Sequence, residues 1–260
     1  MNIISQILQN KNKTNTKAFI PFLTAGYPDI ETNIRALHIL DDCGADIIEL
    51  GVPYADALAD GPVIQQSSAV SLKAGIYIEQ VLFILGKVSK SINAAIVIFT
   101  YYNPILSMGI ANFILKISKK GARGLLIPDL PLEEIDYVLD LCKLYRIELI
   151  LFVAPTSSSN RIDAILSKSS GCIYLVSSTG VTGARSQISS HITELSHFIK
   201  SNSRQHIIVG FGISNVEQVQ KMSSWNIDGI VIGSAVIDII AKDPNLDALK
   251  FFCQSIRRAI

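Results

Sequence analysis

The stretch ELGVPYADALADGP, residues 49–62, holds three carboxylates, Glu49, Asp56 and Asp60, among alanines, glycines and prolines. It follows the apolar run Asp46-Ile47-Ile48, so it reads as the end of a buried strand and the loop after it. Side chains alternate along a strand. With Ile48 and Leu50 turned outward, Ile47 and Glu49 point to the interior. Desolvation there raises a carboxyl pKa, and such a group can lose and regain a proton near neutral pH. The alternative is a structural glutamate paired to a neighbouring strand. Asp56 and Asp60 lie on a loop punctuated by Pro53, Gly61 and Pro62. Residue type alone does not decide which of them faces a site. A second acid carried on a mobile loop would form an acid/base pair with Glu49, and closure would exclude water.

A second kind of chemistry is written late in the chain. Gly210-Phe211-Gly212-Ile213-Ser214 opens a helix at Asn215, and Gly233-Ser234 precedes the helix-like run Ala235–Ile240. Glycine lets an anion approach the backbone, and helix-start amides favour its charge. With Gly180-Val181-Thr182-Gly183, three such loops follow consecutive strands and predict a phosphate site. Phe22, Phe99, Tyr101, Leu126, Phe152, Tyr174 and Phe211 fall at strand ends and suggest that the other end of the ligand is apolar and flat. No lysine stands at the end of a predicted strand to form a Schiff base, and no His/Asp/Glu cluster has metal-ligand spacing. Acid/base work on a phosphorylated, partly aromatic small molecule remains.

The elements that must position these residues alternate in type. Apolar runs predict strands at Ala18–Thr24, Asp46–Leu50, Ala95–Thr100, Gly124–Ile127, Glu148–Val153, Cys172–Ser177, His206–Gly210 and Gly229–Ile232. Amphipathic patterns predict helices at Asp29–Cys43, Pro62–Ala74, Ile110–Lys119, Pro131–Tyr145, Asn160–Lys168, Ser189–Ser201, Asn215–Met222 and Leu246–Ile260. Eight of each is the count of an α/β fold of the (β/α)8, or TIM, barrel type. No linker or charge block divides residues 1–260, so one barrel domain is expected, with a short extra helix, Asn2–Gln9, before the first strand. A doubly wound open sheet is the alternative, but residues 24–28 read TAGYP where it usually shows GxGxxG.

Composition removes other classes. Of 260 residues 49% are hydrophobic, enough for a large core, and the net charge of +1 comes without a basic stripe, so no nucleic-acid partner is expected. The longest apolar runs, such as Ala94–Phe99, are too short to cross a membrane. The four cysteines form no CxxC pair, and the four histidines are scattered. The N-terminal stretch has neither an apolar signal region nor any arginine. The expected location is cytoplasmic, or the plastid stroma if the chain is organelle-encoded.

Six motifs in order carry a close family resemblance: PFLTAGYP at 21–28, ELGVPYADALADGP at 49–62, YYNP at 101–104, PDLP at 128–131, GVTGAR at 180–185 and GFGI at 210–213. Over essentially its whole length the chain resembles the α subunit of tryptophan synthase. The resemblance implies retro-aldol cleavage of indole-3-glycerol phosphate to indole and glyceraldehyde 3-phosphate. It gives Glu49 the acid/base role at indole C3 and the adjacent hydroxyl, and Asp60 the role of stabilising or accepting the indole N–H proton. It implies phosphate contacts at Gly183, Gly212, Gly233 and Ser234. The indole and glycerol pocket would be lined by Phe22, Phe99, Leu126, Phe152, Tyr174 and Phe211, with Thr182 on a covering loop. It further implies no cofactor in this chain, and an α2β2 assembly with a pyridoxal-phosphate β subunit, met at or near Pro53, Asp56 and Asn103. A stand-alone lyase and a weakly active regulatory subunit are the alternatives, and an isomerase of a sugar phosphate is the fallback outside the family. The family's loop commonly has serine and proline where this chain has Ala55 and Ala57. Losing the proline should add about 1 kcal/mol to the cost of ordering the loop and lower the activity of the chain without its partner.

Overall fold

A computed structural model describes residues 2–176, 185–210, 212–213 and 215–260, for 185–191 the backbone only. Its strands are β1 (Ala18–Thr24), β2 (Ile47–Gly51), β3 (Ala95–Phe99), β4 (Gly124–Leu126), β5 (Glu148–Val153), β6 (Cys172–Val176), β7 (His206–Gly210) and β8 (Gly229–Ile232). They close into a parallel barrel in chain order, with Ala18 of β1 opposite Gly229 of β8. The expected strands are all present with ends shifted by at most a residue; Ser177, expected to end the sixth, lies outside the described residues.

The strand side chains divide as a period of two demands. Ala18, Ile20, Phe22, Ile47, Val97, Phe99, Ile150 and Tyr174 form the barrel interior. Phe19, Leu23, Ile48, Leu50, Ile96 and Ile98 belong to the larger core under the helices. Ile47 and Glu49 therefore share one phase, as the alternation predicts.

The helical ring differs from expectation in several places. The helix predicted over Pro62–Ala74 forms as Pro62–Lys73, but it packs against the helix Ser234–Lys242 and β1. The layer outside β2 and β3 is completed by a helix that sequence reading missed, Ile78–Val88, which packs between Ile30–Asp42 and Ile110–Lys119. Its continuous apolar run, Val81 to Leu85, hides the 3.6-residue period, and only Phe83 of that run is exposed. A second unpredicted helix, Tyr102–Met108, is capped from a distance: the Tyr102 amide donates to Asp129 Oδ1 at 2.8 Å. The YYNP and PDLP motifs thus meet. The helix predicted over Pro131–Tyr145 begins as a 3-10 turn, Leu132–Glu134, before Ile135–Leu144.

The N-terminal helix, Ile3–Lys13, is a turn longer than expected and plugs the barrel at the N-terminal ends of the strands. Ile4 and Leu8 join the interior cluster. Ser5 donates through its amide and hydroxyl to the buried Glu148, at 3.1 and 2.6 Å. The polar extension that blurred the boundary is tied down by charge: Lys11 lies 2.6 Å from Asp46, and Asn12 donates to Asp228. Burial alone would raise the Asp228 pKa, but bonds from His206, Lys200 and Asn12 hold it at about 2. The four cysteines are buried and unpaired, and among the described residues no single helix is long and apolar enough to cross a membrane.

Because Leu8 is fully buried in the plug, Leu8→Ala should lower the unfolding free energy by about 2–5 kcal/mol in urea denaturation. A loss under about 1 kcal/mol would mean that the helix seals the barrel without stabilising it.

Candidate active site

Glu49 stands on β2 between Phe22 of β1 and Val97 of β3. It is 1% exposed, and its Oε1 has no hydrogen-bond partner among the described residues. Burial pushes its carboxyl up to about 8, so at pH 7 the group carries a proton. The salt-bridged structural glutamate, open on sequence grounds, finds no support among the described residues, where no cation pairs with Glu49.

The loop after β2 brings Asp60 to the same cavity and leaves Asp56 exposed and off its wall. This separates two aspartates that residue type could not. Tyr101, at the end of β3, receives the Ala59 amide on its hydroxyl at 3.0 Å and bonds the Asp60 carboxylate. Partial burial raises Asp60 to about 7, against the opposing effect of the Tyr101 bond. Tyr101 was visible in the sequence only as one more strand-end aromatic; its grip on the loop was not. Ala57 is 3% exposed within the interior cluster, and its carbonyl accepts from the Asp60 amide at 3.1 Å. The loop without its proline is therefore held by its own turn and by Tyr101.

The cavity is about 700 Å³. Phe22, Phe99, Phe152 and Tyr174 form an arc on its wall. Phe99 meets Phe22 and Phe152 edge-on, at 5.6 and 6.4 Å between centroids, and Phe152 lies 4.8 Å from Tyr174. Leu126 is fully buried in the same interior cluster but is not on the wall. Gly212, Gly233 and Ser234 also line the cavity, the last opening the helix Ser234–Lys242. Gly212 has φ +74°, a conformation that suits glycine. Gly210 serves a different purpose from the anion approach that its motif suggests: a Cβ there would lie 1.9 Å from the Tyr174 hydroxyl. Thr182, Gly183 and Phe211 lie outside the described residues. Among those described, no three His, Cys, Asp or Glu side chains are grouped to hold a metal.

Pro53 and Asn103 line a second, more open groove of about 570 Å³, together with Tyr54, Ala55 and Pro104. Asn103 donates to the Tyr54 hydroxyl at 3.3 Å, and Tyr54 packs on Tyr101, 5.3 Å between centroids. Asp56 is exposed and not among the groove's residues. Leu58, in the same loop, is 93% exposed.

The Glu49 shift has a stability consequence with a definite sign. A carboxyl with a pKa near 4.5 unfolded and about 8 folded keeps its proton longer in the native state. Native stability is therefore full below pH 4.5 and falls as pH rises toward 8. Glu49→Gln removes this loss. It should match the parent near pH 4.5 and exceed its unfolding free energy by something on the order of 3–5 kcal/mol at pH 9. Parallel pH–stability curves for the two chains would contradict the buried, unpaired carboxyl.

Comparison with known proteins identifies the family. The family model described as tryptophan synthase alpha chain matches residues 8–257. The tryptophan synthase alpha chain of Gracilaria tenuistipitata var. liui is 57% identical, covering 100% of this chain and 97% of its own. That of Antithamnion sp. is 54% identical, covering 100% and 99%. A chain of the tryptophan synthase of M. tuberculosis, solved in an aminoacrylate-bound form, superposes with a TM-score of 0.91 at 27% identity over 100% of both chains. With its closed barrel and its match along almost the whole length, the chain belongs to the tryptophan synthase alpha chain family.

Proposed function

We propose that this chain cleaves indole-3-glycerol phosphate to indole and glyceraldehyde 3-phosphate, as the α subunit of a tryptophan synthase. The observation that carries the reading is a buried carboxyl, with one oxygen unbonded among the described residues, on the wall of an aromatic cavity that also holds Asp60. Phe22, Phe99, Phe152 and Tyr174 take the indole and the glycerol chain. Gly212, Gly233 and Ser234 take the phosphate, with helix-start amides directed at its charge. Gly183, Thr182, Phe211 and Leu126 are assigned to the same ligand by family membership.

The chemistry then follows from protonation states. Glu49 gives its proton to indole C3, and the ring becomes a cation whose charge reaches the nitrogen. The Asp60 carboxylate stabilises that N–H. The Glu49 carboxylate next takes the proton of the hydroxyl on the carbon bonded to C3. As this O–H bond breaks, a C=O bond forms and the C–C bond to C3 breaks. Its electron pair returns to the ring and neutralises the nitrogen. Indole and an aldehyde leave, and Glu49 is again protonated. The protonated ring is the electron sink, so the chain needs no cofactor of its own.

The partner is a β subunit carrying pyridoxal phosphate, in an α2β2 assembly. It docks over the groove at Pro53 and Asn103 and over the exposed loop of Asp56 and Leu58, which supports a coupling between docking and Asp60.

Indole release by the purified chain tests the reading. It should be slow alone, rise many-fold with a tryptophan synthase β subunit, and vanish in Glu49→Gln. No release in either condition would sink it, and fast release without β would favour a stand-alone lyase. The active form needs Asp60 ionised and Glu49 protonated. Hence kcat/KM of the free chain should rise through a pH of about 7 and fall through about 8. A plateau extending above pH 9 would contradict these roles.

A further inference from the structure

Asp60 is presented by a tight turn. The Asp60 amide donates to the Ala57 carbonyl at 3.1 Å, closing residues 57–60. Gln65, in the first turns of the helix Pro62–Lys73, reaches back to this turn. Its Nε2 donates to the Ala57 carbonyl at 3.1 Å and to the Asp60 carbonyl at 3.0 Å. Both partners can only accept, which fixes the amide with its nitrogen toward the loop. One side chain thus joins the two ends of the turn. The Gln65 backbone amide is already used within the helix, donating to Gly61 at 3.0 Å. The side-chain bonds therefore add nothing to the helix itself and act on the loop alone.

We infer that Gln65 is a positioning residue for the cleavage reaction, clasping the Ala57–Asp60 turn so that the Asp60 carboxylate faces the cavity. The inference rests on the reading of this site as an indole-3-glycerol phosphate lyase. It has a particular meaning in a chain with alanine at 57. The Ala57 amide makes no hydrogen bond to a described residue, and its φ is not positive. A proline would fit both facts and stiffen the turn through its ring. Without one, the turn depends on outside donors, and Gln65 supplies two. Tyr101 holds the other side of the loop, through Ala59 and the carboxylate itself.

The test compares the full chain with Gln65→Met, which keeps size and helix propensity but has no donor, and Gln65→Glu, which keeps shape and offers only acceptors at neutral pH. Each should lower kcat for indole release about fivefold or more, since two hydrogen bonds are lost. KM should stay within twofold of the parent's, because Asp60 acts on the charge that develops during reaction. The Asp60 amide should exchange its hydrogen faster in both variants. Adding Ala57→Pro to Gln65→Met should restore most of the lost kcat, an effect a purely helical role would not give. A Gln65→Met chain with kcat within twofold of the parent would overturn the inference. So would a fall in kcat with unchanged exchange at Asp60, or a double variant no better than Gln65→Met. The parent chain is the control: no indole from it defeats the lyase reading, whereas an active parent beside unaffected variants defeats only the role of Gln65.

Discussion

A carboxyl group held inside an apolar barrel, with one oxygen unbonded among the described residues, is the constraint from which the rest of the site follows. Burial of a charge without a partner is unfavourable enough that the group keeps its proton instead. That makes Glu49 an acid at neutral pH and a base once it has given the proton away. Both properties need the same thing, a rigid strand that holds the side chain in the interior phase. β2, buried along its whole length between β1 and β3, provides it.

The two ends of the barrel treat buried acids in opposite ways. At the N-terminal end, Glu148 takes two bonds from Ser5. Asp228 is bonded by Lys200 and Asn12, and Asp46 by Lys11 and Arg257. These groups anchor the plug and are satisfied. At the C-terminal end, Glu49 has no cation beside it among the described residues, and the Asp60 carboxylate is bonded by the Tyr101 hydroxyl. Glu148 and Glu49 are both fully buried, so burial alone does not separate a structural acid from a reactive one. What separates them is whether the donors around each acid are already supplied by the fold.

Much of this was legible in the sequence because strands buried on both faces announce themselves as short runs of Ile, Val and Phe. Once β2 is placed, alternation alone turns Glu49 inward. Glycine-bounded turns likewise mark Gly212 and Gly233, and both line the cavity. Other features were not legible, for identifiable reasons. Asp56 and Asp60 are chemically identical and four residues apart on a loop, where no period tells inside from outside. The helix Ile78–Val88 was hidden by an apolar run that masks its own amphipathicity. Gly210 looked like part of an anion loop, yet it makes room for Tyr174. The clasp by Gln65 and the grip of Tyr101 depend on where side-chain tips end, which follows from tertiary placement and not from residue type.

The measurement that bears most directly on this account is a titration of Glu49 itself, by infrared difference between the parent chain and Glu49→Gln. The protonated carboxyl C=O band should persist through neutral pH and disappear with an apparent pKa of about 8. A band that vanishes near pH 4.5, the value of an ordinary solvated glutamate, would show that the carboxyl is charged in the resting protein and would contradict its role as the acid that starts the reaction.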